Sequence, residues 1–325
     1  MMTPAAASVS VVIPVFRAEH TLAELYRALV PALLEAAGAF EIIFVEDGGG
    51  DGSWPIIEEL AAADPRVRGL RMSRNYGQHN SLLCGIRAAR FDVILTMDDD
   101  LQHPASEIAA MLRALTPEVD VVYGTPGQQQ HGLLRNLASA LTKAALSGAM
   151  GAATARDVSA FRVFRARLRE GFANYASPAV SIDVLLTWAT TRFTSIKVRH
   201  APRTAGVSGY TVGKLIRHAI DLMTGFSTMP LKVASLIGFV FVAFGGVILL
   251  VVLANYLVRP DTVPGFAFLA SIITIFAGAQ LFALGVIGEY LARMHFRSMD
   301  RPTYLVGEAT GRPVAKVTGG LDADV

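Results

Sequence analysis

Residues 93–102 read VILTMDDDLQ. A short aliphatic run, too short for a helix and followed at once by three carboxylates, is a buried strand that ends in an acidic turn. In an open parallel sheet ligands gather at the carboxyl ends of the strands, so Asp98, Asp99 and Asp100 fall where a site is expected. Adjacent carboxylates repel one another, and a divalent cation offsets that cost. Asp98 and Asp100, two apart in an extended turn, can face the same way, leaving a nucleoside diphosphate to supply the remaining oxygens. Such hard donors suit Mg2+ or Mn2+ better than zinc. The alternative reading of this segment alone is a solvated acidic loop.

Short apolar runs alternate with amphipathic stretches from residue 9 to about residue 123, the pattern of βαβ units building a mostly parallel sheet. Strands are expected at 9–15, 40–46, 68–73, 93–98 and 120–123, each nearly continuous in apolar residues, as for strands covered on both faces. Thr21 and Glu24 have capping-box spacing at the first helix. Ser53 is placed to cap the helix after the turn Gly48-Gly49-Gly50-Asp51-Gly52, and 77–89 reads as a third helix. Further strands are expected at 160–164 and 193–199 with a helix between them. Residues 133–150 form a helix whose wide apolar face, opposite Arg135 and Lys143, suits either a bilayer surface or an ordinary core. A second interfacial helix is expected at 212–226.

Residues 233–258 and 266–288 are charge-free runs of 26 and 23 residues, each beyond the roughly 20 needed to cross a bilayer core. Arg259, Pro260 and Asp261 between them leave room only for a tight connection, so the spans form a hairpin. Lys214, Arg217 and Lys232 precede it and Arg293, Arg297 and Arg301 follow. The positive-inside rule then puts the large domain and the tail in the cytoplasm of a multi-pass inner-membrane protein. The division is 1–211 cytosolic α/β domain, 212–230 interfacial helix, 231–292 spans, 293–325 cytosolic tail. No basic and apolar leader opens the chain. A net charge of +2 excludes a globally basic nucleic-acid binder. Cys84, the single cysteine, sits in an apolar stretch and reads as a buried thiol.

A second acidic pair, Glu46 and Asp47, ends the second strand and leads into the glycine-rich turn, which suits a base and ribose pocket. Pro14 and Phe16 end the first strand nearby and Glu19 lies just beyond, Pro14 equally serving to terminate the strand. No G-x-G-x-x-G opens a helix after the first strand, which argues against a nicotinamide enzyme.

These motifs, taken in order with Ser73-Arg74-Asn75-Tyr76-Gly77, Phe161-Arg162 and Arg203, Gly206, Ser208, Tyr210, resemble the family 2 glycosyltransferases of GT-A fold. The branch is that of the polyprenyl-phosphate hexosyltransferases, which includes dolichyl-phosphate mannose synthases and bacterial undecaprenyl-phosphate glucosyl and aminoarabinose transferases. The resemblance covers nearly the whole chain. It implies inverting, Mg2+- or Mn2+-dependent transfer from a nucleotide-sugar, UDP before GDP, to a polyprenyl phosphate such as undecaprenyl phosphate. Residue by residue, it makes Asp47 the base-recognising carboxylate, Asp98 and Asp99 nucleotide contacts, and Asp98, Asp100 and Gln102 the metal set. Arg203, Ser208 and Tyr210 fall in a loop closing over the phosphates. Arg135 and Arg162 are placed near the acceptor phosphate, where a guanidinium fork suits phosphate oxygens. Tetramers among the relatives imply self-association.

The sequence departs from the family at Glu46, at Ala18 before Glu19, in its glycine run, and at Ala160, where some relatives carry an acid before Phe-Arg. Asp157 is the nearby replacement if that acid is a general base, although a phosphate monoester is already ionised near neutral pH. The glutamine, arginine and tryptophan motif of processive synthases is missing. The competing reading is a membrane-anchored nucleotide sensor or docking module, against which Gln102 and the basic loop favour catalysis.

Overall fold

The computed structural model describes residues 7–126, 157–177, 180–201, 228–258, 265–299 and 301–311. In chain order the elements are β1 (Ser8–Val15), α1 (Leu22–Ala36), β2 (Ala39–Glu46), α2 (Ser53–Ala63), β3 (Val67–Met72), α3 (Gln78–Ala88), β4 (Val93–Thr96), α4 (Ile108–Ala114), β5 (Val121–Pro126), β6 (Arg162–Arg165), α5 (Ile182–Ala189), β7 (Phe193–Val198), α6 (Met229–Val258), α7 (Phe266–Ser298) and β8 (Val306–Thr310). The sheet runs β7-β5-β6-β4-β1-β2-β3-β8. Strands β1, β2, β3 and β4 pair in parallel, and β5 pairs in parallel with β7. Strand β6 runs antiparallel between β4 and β5, and β8 runs antiparallel along β3.

The pleat assigns each strand residue to one of two cores. Val9, Val11, Ile13 and Val15 face the layer of α1, α2 and α4, while Val12 joins Ile43, Val45 and Ile94 against α3 and α5. All of these are fully buried, and each contributes about 1.5–3 kcal/mol of hydrophobic stabilisation. In α1 the buried set Leu22, Leu25, Leu29, Leu33 and Ala36 has the three-and-four spacing of one helical face. Such continuous burial is why the sheet interior was readable from apolar runs alone.

Both expected N-caps take other partners. Thr21 lies in the helical region with φ −109° and ψ −27° and makes no side-chain cap; its hydroxyl donates to the Ala18 carbonyl, 3.2 Å. Ser53 is the first residue inside α2, behind Gly52. Its hydroxyl donates to Asp51 Oδ2 at 2.9 Å and accepts from the Ala18 amide at 3.0 Å. The loops after β1 and β2 are thereby laced to each other.

Helices α6 and α7 have 30 and 33 residues, which at 1.5 Å per residue is about 45 Å or more, longer than the ~30 Å apolar core of a bilayer. Within them 229–248 and 275–298 have mean hydropathy 2.2 and 1.5, and almost none of either is covered by protein. Leu236, Phe239, Val242 and Leu281 lie open, each more than 60% exposed. The helices pack on one another through Phe241 and Phe276, edge to face at 5.7 Å. A Cβ at Gly245 would stand 2.9 Å from the tip of the Phe276 ring, so a larger residue would require that ring to shift. Helix α7 continues to Ser298, past the expected end of the span, and the tail does not remain separate: residues 306–310 rejoin the sheet as β8.

Candidate active site

The carboxyl ends of β1, β2, β3 and β4 open into one cavity of about 230 Å³. Pro14, Val15 and Phe16 reach it from β1, Asp47 from β2, Asn75 and Gly77 from the loop after β3, Gln78 and Ser81 from α3, and Asp98, Asp99 and Asp100 from the turn after β4. The two acidic motifs, 51 residues apart in the chain, therefore share a pocket.

Hydrogen bonds fix how the walls meet. Asp99 Oδ2 accepts from the Phe16 amide at 3.1 Å, joining the acidic turn to β1. Asp98 Oδ1 accepts from Gln78 Nε2 at 2.6 Å, joining it to α3. Asp100 Oδ1 accepts from the Gln102 amide at 3.2 Å, a local turn that leaves Leu101 in the left-handed region at φ 61°. Arg17, beyond Phe16 on the opposite wall, has φ 55° and donates from Nε to the Gly49 carbonyl. Left-handed backbone in non-glycine residues costs energy and persists where surroundings over-determine it, as at ligand sites.

Asp47 is 3% exposed. Its two oxygens accept from the amides of Tyr76, 2.7 Å, and Gly77, 2.8 Å, so the carboxylate shapes the loop that lines the pocket. Burial raises its pKa above the ordinary range, with those amide bonds working in the opposite direction. Gly48, at φ 64°, follows; a Cβ there would stand 2.6 Å from the Asn75 amide nitrogen, which is why glycine stands under this loop.

The remaining expected residues are placed differently. Gln102 does not line the cavity; its carbonyl accepts from the Ala201 amide at 3.0 Å. Glu19 is also outside it, holding the Gly52 amide at 2.7 Å and so bracing the glycine-rich turn. Asp157 accepts from Ser195 Oγ on β7 at 2.9 Å. Arg162 does not line the cavity: at 2% exposure it is a core residue, paired through Nη1 with Asp183, which also accepts from the Tyr123 hydroxyl at 3.0 Å. A guanidinium so enclosed is neutralised inside the fold and does not present its fork to a ligand in this arrangement. Arg135, Arg203, Ser208, Tyr210 and both expected interfacial helices lie outside the described residues.

His103 was not expected. Buried and stacked on Phe161 at 5.2 Å, it has His200 edge-on at 5.3 Å. Burial and His200 lower its pKa to about 4, so it is neutral at pH 7, and its Nδ1 faces the Asp98 amide at 3.5 Å. Its position directly after Gln102 was the available signal.

Among the described residues no three acidic, histidine or cysteine side chains are already drawn into a metal cage. Three aspartates on one wall nevertheless fit a cation of the magnesium type, which is commonly held by one or two carboxylates together with substrate phosphate oxygens.

A mostly parallel sheet carrying an acidic pocket at its carboxyl edge, with β6 reversed, is the architecture of a GT-A sugar-transfer enzyme. Residues 10–170 match the family described as "Glycosyl transferase family 2", and the chain belongs to that family; it is a glycosyltransferase. It is 33% identical over 322 residues, covering 98% of each chain, to an undecaprenyl-phosphate 4-deoxy-4-formamido-L-arabinose transferase of Pectobacterium carotovorum subsp. carotovorum (strain PC1). A protein of the same name from Pseudomonas fluorescens (strain SBW25) is 31% identical over 320 residues, 96% of this chain and 94% of that one. Among solved structures, the fold is similar to glucosyl-3-phosphoglycerate synthase from Mycobacterium tuberculosis in complex with Mn2+, UDP and glucosyl-3-phosphoglycerate. The TM-score is 0.50 at 15% identity, over 67% of this chain and 79% of that one.

Proposed function

We propose that the protein transfers a sugar from a nucleotide-sugar, a UDP-sugar first, to undecaprenyl phosphate or a related polyprenyl phosphate, giving a lipid-linked monosaccharide. The observation that carries this is the pairing of an acidic pocket with a long apolar helix hairpin in a chain that matches undecaprenyl-phosphate sugar transferases over 98% of its length. A UDP-linked 4-deoxy-4-formamido-L-arabinose is the first donor to test.

In this reading Phe16, 47% exposed at the mouth, offers a ring face to the nucleobase, and Asp47 keeps the Tyr76 and Gly77 amides in place beneath it. Asp98 and Asp100 would hold Mg2+ or Mn2+, which supplies charge neutralisation for the departing nucleoside diphosphate. Asp99, held by the Phe16 amide, keeps the two walls at a fixed separation. The acceptor phosphate is already anionic and attacks the anomeric carbon in a single inverting displacement, so positioning outweighs proton removal. Arg203, Ser208 and Tyr210 would close over the phosphates, with Arg135 near the acceptor and Asp157 the one candidate base. The hairpin anchors the domain at the cytoplasmic face of the inner membrane, with self-association part of the same reading.

The test incubates membranes containing the protein with labelled UDP-sugars, polyprenyl phosphate and Mg2+ or Mn2+, and measures label in an organic-soluble product. Incorporation that needs all three is expected. Nucleotide binding without incorporation from any donor overturns the proposal.

A further inference from the structure

Beyond the second span the sequence reads RPTYLVGEATG, residues 301–311. The segment is short and half polar, yet it is tied to the domain at each step. Thr303 is buried and its hydroxyl faces the Tyr175 carbonyl at 3.5 Å. Tyr304 packs on the second core cluster beside α3, with the Arg87 guanidinium 5.8 Å from its ring centre. The Leu305 carbonyl accepts from the Ser73 amide at 2.9 Å, and the Leu305 backbone also meets the Tyr76 hydroxyl. Val306–Thr310 then continues as β8 along β3.

Two routes lead from this return segment into the pocket. The first is Leu305 to Ser73 and Tyr76, whose loop presents Asn75 and Gly77 to the cavity and is gripped from below by Asp47. The second is Glu308 to Arg71, 2.9 Å, then Arg71 to Glu46, 3.4 Å, and Glu46 to the Gly49 amide of the glycine-rich turn, 2.5 Å. Glu308 and Arg71 are solvent-exposed, so that pair is the weaker route. The backbone bond to Ser73 and the packing of Tyr304 carry the first.

We propose that residues 303–310 are a positioning element of the donor pocket, tying the Ser73–Gly77 loop to the end of the second span so that nucleotide binding and docking of this segment reinforce one another. The proposal rests on the reading that the pocket binds a nucleoside diphosphate. Energetic coupling between two sites is reciprocal, so it is visible from either side.

The experiment is hydrogen exchange on the full-length protein in lipid nanodiscs, with and without UDP and Mg2+. UDP should slow exchange at the amides of 306–310 as well as 73–77, while the far edge at β7 is unchanged. Tyr304→Ala and Glu308→Arg should speed exchange in 303–310. They should also raise the donor KM by about fivefold, at the low end of measured couplings. Saturated turnover and the polyprenyl phosphate KM should stay where they were. A donor KM that does not move while 303–310 exchanges freely overturns the proposal, as does wild-type protein in which UDP binds without protecting 306–310. If neither variant loosens the segment, wild-type protection by UDP decides alone. Failure of UDP to bind wild type at all is a separate result, which removes the functional reading and this proposal together.

Discussion

Asp47 and Asp120 stand at opposite ends of the sheet and are equally buried, each 3% exposed. Asp47, at the carboxyl end of β2, is held by two backbone amides, and burial raises its pKa. Asp120 precedes β5 at the amino end. Burial pushes its pKa up as well, but bonds from Arg192, Thr190 and Arg167 overcome this and hold it at about 2. Arg192 grips both oxygens at 2.9 Å. At equal burial, a structural carboxylate is charge-paired with the protein's own cations, as Asp120 is with Arg192 and Arg167, whereas the pocket carboxylate Asp47 is held by uncharged amides beside a cavity.

The sharpest test is a pair of truncations. Asp100→Ala should lower turnover by about 10²–10³-fold or more, the scale of losing a preorganised charge-stabilising group, and leave thermal unfolding unchanged. Asp120→Ala should do the reverse, costing about 1–3 kcal/mol in denaturant unfolding while the folded fraction keeps its turnover. Activity surviving in Asp100→Ala would break the comparison at its catalytic end.

Arg162→Ala should behave like a core lesion, destabilising by about 3–5 kcal/mol because Asp183 is left buried without its cation. Loss of acceptor affinity with unchanged stability would instead return Arg162 to the acceptor site. A milder signature separates the aspartates by pH. Asp120 has a folded pKa of about 2 against the ordinary 3.8, so its stabilisation is complete above the unfolded value and is lost as pH falls through that window. Asp47, with a raised pKa, has the opposite slope and favours the folded state less as pH rises past its unfolded value. Acid unfolding between pH 4 and 2, followed by the fluorescence of Trp188 in the cleft beside Asp120, should lose part of its pH dependence in Asp120→Asn. The smallest effect is expected from Phe16→Ala, roughly tenfold in UDP affinity if the ring stacks on the base, read by titration calorimetry.

The sheet was legible because buried parallel strands are continuous apolar runs bounded by turns, and β1 to β4 lie within two residues of their expected limits. The meeting of Asp47 with Asp98–Asp100 was legible for the same reason, since both motifs end parallel strands. Strand β8 was not. VGEAT carries no apolar run, and its partner β3 lies more than 230 residues earlier, so pairing depends on where the hairpin returns the chain. The burial of Arg162 was not legible, because an Arg after Phe reads identically whether it faces a ligand or a buried acid, and only tertiary structure brings Asp183 to it. The cap at Thr21 was lost to Ala18, whose turn claims the hydroxyl first. Gln78 and His103 sat beside motifs already marked, but nothing in their spacing showed that one would reach Asp98 and the other its amide.

The return of the chain to β3 bears on how a water-soluble form of this enzyme should be cut. Ending it ahead of α6 would strip the outermost strand and bare the hydrogen-bonding groups of Gly69–Met72, an invitation to intermolecular strand addition and precipitation. Excising the apolar hairpin and splicing residue 301 back through a flexible linker keeps that margin covered.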